Sequence, residues 1–225
     1  NRSTMNKDIT NNEYTLLDTL FSNSFENFKL TNRAGLYYVY RHKKDRLKIG
    51  GYVRNVQLRS FDEFKNPLTD SLNFWDVLPQ INYRHKFNSS QRLRFSYRTN
   101  SRQPSLNQLQ PVQNNSNPNK IIEGNPDLIP DYSHKLSATY NHWKGLTGSY
   151  IWTSLNYRRV VNPFSNQMSF DDFGRTISKT INIDSAVNQY TSYNLGGKIP
   201  LGNSPLGINI RNFSSHNITN SVING

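Results

Sequence analysis

The sequence contains no cysteine, which excludes disulfide scaffolds, thiolate zinc sites and thiol catalysis together. It is short of acidic residues, with 15 Asp and Glu against 27 Lys and Arg and a formal net charge of +12. Apolar residues are scarce at 34%, below the roughly 45–50% of ordinary globular domains. No run approaches the roughly 18 consecutive apolar residues of a membrane-spanning helix, so a helical membrane protein is excluded. Phosphate-cradling loops, nucleophile elbows and dinucleotide fingerprints are missing, so the chain offers no catalytic candidate and is not expected to be an enzyme. Aromatic residues are plentiful: 13 Tyr, 12 Phe and 3 Trp in 225 residues. A chain so rich in aromatics is not disordered throughout, and its length suits one or two domains of about 150 residues. The basic balance invites a nucleic-acid partner, but Lys and Arg are spread along the whole length. Such charge bears on solubility and non-specific attraction, not on fold, and no nucleic acid is expected.

Most of the chain alternates with a period of two, the pattern of half-buried strands. Over 91–102, Leu93, Phe95, Tyr97 and Thr99 form one face, and Arg92, Arg94, Ser96, Arg98, Asn100 and Arg102 the other. Over 75–87 the apolar set is odd-numbered and Leu78 alone breaks the pattern. Pro79 has no N–H for a ladder, so a bulge or a place near the strand start is expected there. Residues 34–43 with 46–58, and 132–143 with 149–161, read as further strand pairs. Over 175–199, Ile177, Ile181, Ile183, Val187, Tyr193, Leu195 and Ile199 are all odd-numbered, which favours one very long strand. An alternating segment opens again at Leu206. No helical period competes after residue 33, so the expected class is all-β.

Short turns near 43–45, 88–90, 144–147 and 201–205 alternate with long polar loops at 59–73, 103–131 and 162–174. Outer-membrane barrels have this asymmetry, with short periplasmic turns, longer extracellular loops and strands that alternate apolar-out with polar-in. A wet lumen facing half of every strand also explains the low hydrophobicity.

Two phrases carry a resemblance. Arg102-Gln103-Pro104-Ser105 runs on to Leu109-Gln110-Pro111, and Gly124-Asn125-Pro126-Asp127-Leu128-Ile129-Pro130-Asp131 follows. In that order and spacing they resemble the later barrel region of the TonB-dependent receptors, an outer-membrane β-barrel family; the match covers about a third of the chain, and the flanking strands fit by pattern alone. Family members often have Lys-Pro-Glu where this chain has Ile129-Pro130-Asp131, a change that keeps the proline and the acid. The resemblance implies a larger plugged barrel, of about 22 strands, of which this chain supplies about eight. The expectation is therefore an antiparallel, up-and-down transmembrane β-barrel segment over 1–225, with plug and remaining strands absent. An independent eight-stranded barrel is the structural alternative. Outer-membrane lipid, the plug domain and TonB of the intact receptor, and a surface lipoprotein are the implied partners.

The row Arg92, Arg94, Arg98 and Arg102 is the candidate lumen lining for anionic or sugar ligands; its bland alternative is pairing with acids of the plug or of neighbouring strands. A lipid-facing arginine costs about 2–4 kcal/mol at the bilayer midplane, so the row belongs on the lumen side. Trp75, Tyr83, Tyr97, Tyr140, Trp143 and Tyr157 are candidate girdle residues at the membrane boundaries, with ordinary cross-strand packing as the alternative. In loop 103–131, Pro104, Ser105, Leu109, Pro111, Gly124, Asn125, Pro126, Asp127, Leu128 and Pro130 either contact ligand or set the loop's conformation. His42, His85, His134, His142 and His216 show no metal-ligand spacing, and neither metal nor cofactor is expected. The functional expectation is part of a receptor that takes up a nutrient through a plugged barrel. The alternative is a soluble or secreted all-β binding module whose basic face takes polysaccharide or nucleic acid.

Overall fold

A computed structural model describes residues 2–4, 7–10, 13–17, 23–62, 72–109, 114–117, 119–145, 148–183, 187–202 and 206–220. The first strands are β1 (Arg2–Thr4), β2 (Lys7–Thr10), β3 (Glu13–Leu17), β4 (Asn23–His42) and β5 (Asp45–Asp62). Then come β6 (Leu72–Lys86), β7 (Gln91–Arg102), a single helical turn α1 (Leu106–Leu109), β8 (Asn114–Asn117) and β9 (Lys120–Glu123). The rest are β10 (Asp131–Lys144), β11 (Ser149–Val161), β12 (Phe164–Phe170), β13 (Thr176–Asn182), β14 (Val187–Pro200) and β15 (Gly207–Ile218). The chain divides into two compact units, one of residues 1–34 and 53–76, the other of 35–52 and 77–225.

In the larger unit, hydrogen-bonded neighbours follow chain order: β4, β5, β6, β7, β10, β11, β14, β15. In this sheet the registered pairs from β6 to β15 are all antiparallel, whereas β9 and β13, outside it, pair in parallel. Strands β7, β10, β11, β14 and β15 have 12, 14, 13, 14 and 12 residues, longer than the roughly 9–11 needed to cross a bilayer as a tilted strand.

The register turns single-strand alternation into two continuous faces. Ile81, Tyr97, Leu136, Tyr157 and Thr191 stand side by side, as do Tyr83, Phe95, Ala138, Leu155 and Tyr193. On the opposite face, Asn82, Ser96, Ser137, Asn156 and Ser192 form an equally continuous polar row. The apolar face is not covered: Leu36, Val77, Ile151, Leu155, Ile199, Ile208 and Ile210 are all exposed.

Pro79 lies inside β6, where the registered pairing with β7 stops. Pairing with β7 runs from Lys86↔Arg92 to Gln80↔Arg98, and the proline sits just beyond it. There the Thr99 hydroxyl donates to the Pro79 carbonyl at 3.0 Å. At Gly50 the backbones come so close that a Cβ would collide with the Leu36 carbonyl oxygen. Gly196 gives the same room to the Trp152 indole.

The expectation of one strand over 175–199 is corrected. Residues 184–186 lie outside the described ones, and β13 and β14 belong to different sheets. Strand β14 joins β11 and β15, whereas β13 sits in a four-stranded sheet of order β12-β13-β9-β8. Odd-numbered positions are apolar in both strands, with Ile177 facing Ile121 in the small sheet and Leu195 facing Thr153 in the large one, so parity does not separate them. The expected loop 162–174 is likewise corrected. Most of it is β12, paired with β13 from Phe164↔Asn182 to Phe170↔Thr176. Helix α1 is a further departure, one turn inside the expected loop 103–131.

In the smaller unit, β1 pairs with β4 and β2 with β3, both antiparallel. Val56 and Leu58 are buried, and the Arg54 guanidinium donates to Asp76 from Nε at 2.9 Å and from Nη2 at 2.7 Å.

Gly50→Val is expected to destabilise the sheet by at least about 1–3 kcal/mol, the usual cost of overpacking. The intact protein would then lose its folded, fast-migrating gel form at a lower heating temperature than wild type.

Candidate functional site

The polar face of the larger unit is strongly cationic. Arg84 stands directly opposite Arg94, Lys86 opposite Arg92, and Arg98 opposite Lys135, which in turn faces Arg158. Like charges directly opposite on a sheet are destabilising. Around Arg94 and Arg98 the face holds a recess of about 410 Å³, lined by Arg46, Lys48 and Arg84 as well, with Asn82, Ser137 and Thr139 beside them. Among the described residues no acidic one lines it. Lys48 lies over the Tyr37 ring, 3.8 Å from its centroid, a cation–π contact that leaves the charge in place.

The four arginines singled out from the sequence therefore separate. Arg94 and Arg98 share the recess. Arg92 lies further along the same face, and its Nε is buried without a hydrogen-bond partner. Arg102 sits at the far end of β7, where Nε and Nη2 donate to Asp131 Oδ2 at 2.9 and 2.6 Å. Its guanidinium also lies over Phe164, 4.9 Å from the ring centroid. Arg84 and Lys48 lie on neighbouring strands and join the row only through the sheet. The missing information was the register, which single-strand alternation does not contain.

Arg102 borders a second recess of about 350 Å³, with Ser105, Gln108, Phe164, Asn166 and Thr180. The motif residues hold this end together. The Ser105 hydroxyl and N–H both donate to Gln108 Oε1, at 2.9 and 3.0 Å, closing the turn that starts α1. Pro104, Leu109 and Leu128 are buried. Asn125, also buried, donates from Nδ2 to the Thr180 carbonyl at 2.9 Å and accepts the Asp127 N–H at 3.2 Å. Asn182 completes the clasp: its Oδ1 accepts the Ile129 N–H and its Nδ2 donates to the Ile129 carbonyl, both at 2.9 Å. Gly124 and Pro130 are half-buried and Pro126 is exposed, while Pro111 lies outside the described residues. Asn182 is a residue the sequence did not reveal, since it reads as one more polar position of an alternating strand.

Tyr83, Tyr97, Tyr140 and Tyr157 share the apolar face. Tyr83 donates to Asp45 at 2.7 Å, Tyr97 is bonded to His134 Nδ1 at 2.8 Å, and Tyr140 meets the Phe87 ring edge-on at 6.4 Å. Tyr157 donates to Gln189 at 3.3 Å. Trp75, in the smaller unit, is 69% exposed. Trp143 departs from the set. Its register partner is Tyr150, which puts it on the polar side beside the short turn, 62% exposed.

The sequence profile of the outer membrane protein beta-barrel family matches residues 1–222. The chain belongs to that family. Its place is the bacterial outer membrane, and its fold is that of a β-barrel segment. Among solved structures, the FrpB iron transporter from Neisseria meningitidis (F3-3 variant) is similar over 86% of this chain and 27% of its own, at 12% identity and a TM-score of 0.57. The copper transporter OprC is similar over 89% of this chain and 31% of its own, at 14% identity and a TM-score of 0.56. The siderophore receptor PirA from Pseudomonas aeruginosa covers 87% and 43%, at 13% identity and a TM-score of 0.52. Identities this low speak for a shared fold. No curated protein matches. The chain spans between 27% and 43% of the length of these neighbours.

Within this outer-membrane barrel segment, the β12–β13 hairpin turns at Asp171, at the end of the long connections. Partial burial works against the Asp171 carboxylate, but the Arg175 backbone N–H and guanidinium and the Phe173 N–H donate to it and hold its pKa below the usual value. A lowered pKa makes this contribution complete above the unfolded value of about 3.9 and lost as pH falls through the folded one. The protection factors of the Phe173 and Arg175 amides, taken relative to intrinsic exchange at each pH, should therefore be full at neutral pH and fall under acid conditions; Asp171→Asn should remove the dependence. Asn182→Ala is expected to loosen the clasp by about 1–3 kcal/mol, read as faster exchange of the Ile129 amide.

Proposed function

We propose that the chain is part of the barrel of a TonB-dependent receptor that takes up a scarce nutrient across the outer membrane. One observation carries the reading: a continuous, uncovered apolar face on one side of the sheet and a cationic, hydrogen-bonding face on the other. A soluble domain buries its apolar face, and a large exposed one marks an interaction surface. In a bilayer that surface is satisfied by lipid, and the polar face lines the lumen.

The long connections, built around the Arg102–Asp131 pair and the Asn125 and Asn182 clasp, frame the ligand entrance. The cationic row lies deeper along the wall. The resemblance in the two loop phrases and the structural likeness to iron, copper and siderophore transport proteins support the reading. On it, capture at the entrance is followed by movement of a plug domain driven through TonB, with a surface lipoprotein as an accessory. No residue of this chain performs bond chemistry; its side chains select and guide.

The test uses the intact gene product with its natural flanking sequence. It should fractionate with detergent-extracted outer membrane and be retained by immobilised TonB periplasmic domain. A detergent-free, monodisperse 225-residue protein that binds polysaccharide or nucleic acid would contradict the proposal and favour a soluble binding module.

A further inference from the structure

The recess around Arg94 is more cationic than a structural sheet tolerates without compensation. Arg46, Lys48, Arg84, Arg94 and Arg98 converge on it. Among the described residues none of the five forms an ion pair. Four aspartates among the described residues are engaged elsewhere: Asp45 with His85, Asp76 with Arg54, Asp131 with Arg102 and Asp171 with Arg175. The Arg84↔Arg94 cross-strand pair is repulsive as it stands. Guanidinium groups are forked donors that suit phosphate and carboxylate oxygens in pairs. A volume of about 410 Å³ falls within the roughly 300–1,000 Å³ of small-molecule sites.

We propose that this recess is a binding site in the barrel wall for a small, multiply charged oxyanion, a solute bearing phosphate or clustered carboxylate groups. Arg84, Arg94 and Arg98 supply the forked donors, Arg46 and Lys48 add charge, and Thr139 adds a hydroxyl to the wall. The anion lies between the opposed Arg84 and Arg94 and converts a repulsive pair into a bridged one. The proposal rests on the lumen reading above and gives that lumen a ligand class.

The experiment uses the intact receptor purified in detergent, with tripolyphosphate as probe, followed by calorimetric titration and thermal unfolding. The wild type should bind saturably, unfold at a higher temperature with the probe, and lose affinity as sodium chloride rises. Arg84→Gln with Arg94→Gln should weaken binding at least tenfold. Without probe this variant should unfold at the same or a higher temperature, because a like-charge pair is relieved. Lys144→Gln, beside the short turn, should change neither result. Absent binding, or binding unaltered in the double variant, overturns the proposal. So does a double variant that is clearly less stable without probe, since the arginines would then be engaged by acidic groups of the same polypeptide. Each of these failures leaves outer-membrane fractionation and TonB retention untouched, so failure here is distinguishable from failure of the receptor reading.

Discussion

Backbone hydrogen bonding between neighbouring strands is the constraint on which this structure depends. In hydrocarbon an unpaired N–H or C=O costs several kcal/mol, so a segment that crosses a bilayer as strands must pair every one of them. The ladders from β7 through β15 do this with antiparallel registers of about a dozen residues each. Once the register is set, side chains have no freedom over which way they face. One row is apolar and the next is polar, and a slip of one residue would exchange them. The low apolar content follows, because only one face needs to be greasy.

The same constraint explains the local irregularities. Pro79 is tolerated because the β6–β7 ladder ends beside it and the Thr99 hydroxyl takes its carbonyl. Gly50 and Gly196 occur where a neighbour would collide with any side chain. The long connections pair among themselves as a small sheet and are fastened by Asn125 and Asn182.

Much of the fold was legible because alternation survives in single strands. Strands β7 and β11 are bounded where the pattern places them, and the four short turns separate the expected strand pairs. Alternation does not say which sheet a strand joins, and for that reason 175–199 read as one strand. Polar strands such as β12, Phe164-Ser165-Asn166-Gln167-Met168-Ser169-Phe170, lack the β-branched residues that mark strands locally and are held by their partner. The candidate site was half visible. Arg94 and Arg98 announce a cationic face, but Arg46, Lys48 and Arg84 join them only through pairing between strands distant in sequence. Trp143 takes the polar side through its pairing with Tyr150, a placement that the tryptophan's position next to a turn does not reveal.

The central claim is that the row through Phe95, Ala138 and Leu155 faces lipid while the row through Ser96, Ser137 and Thr139 faces water. Because these 225 residues contain no cysteine, single nitroxide labels can be placed along β10, β11 and β15 of the intact protein in bilayers once any cysteine outside them is replaced by serine. Labels at Leu155 and Ile210 should collide preferentially with oxygen, which concentrates in hydrocarbon, while labels at Ser137 and Thr139 should collide with a water-soluble nickel chelate. Reversed preferences, or equal access with no two-residue alternation, would contradict the account.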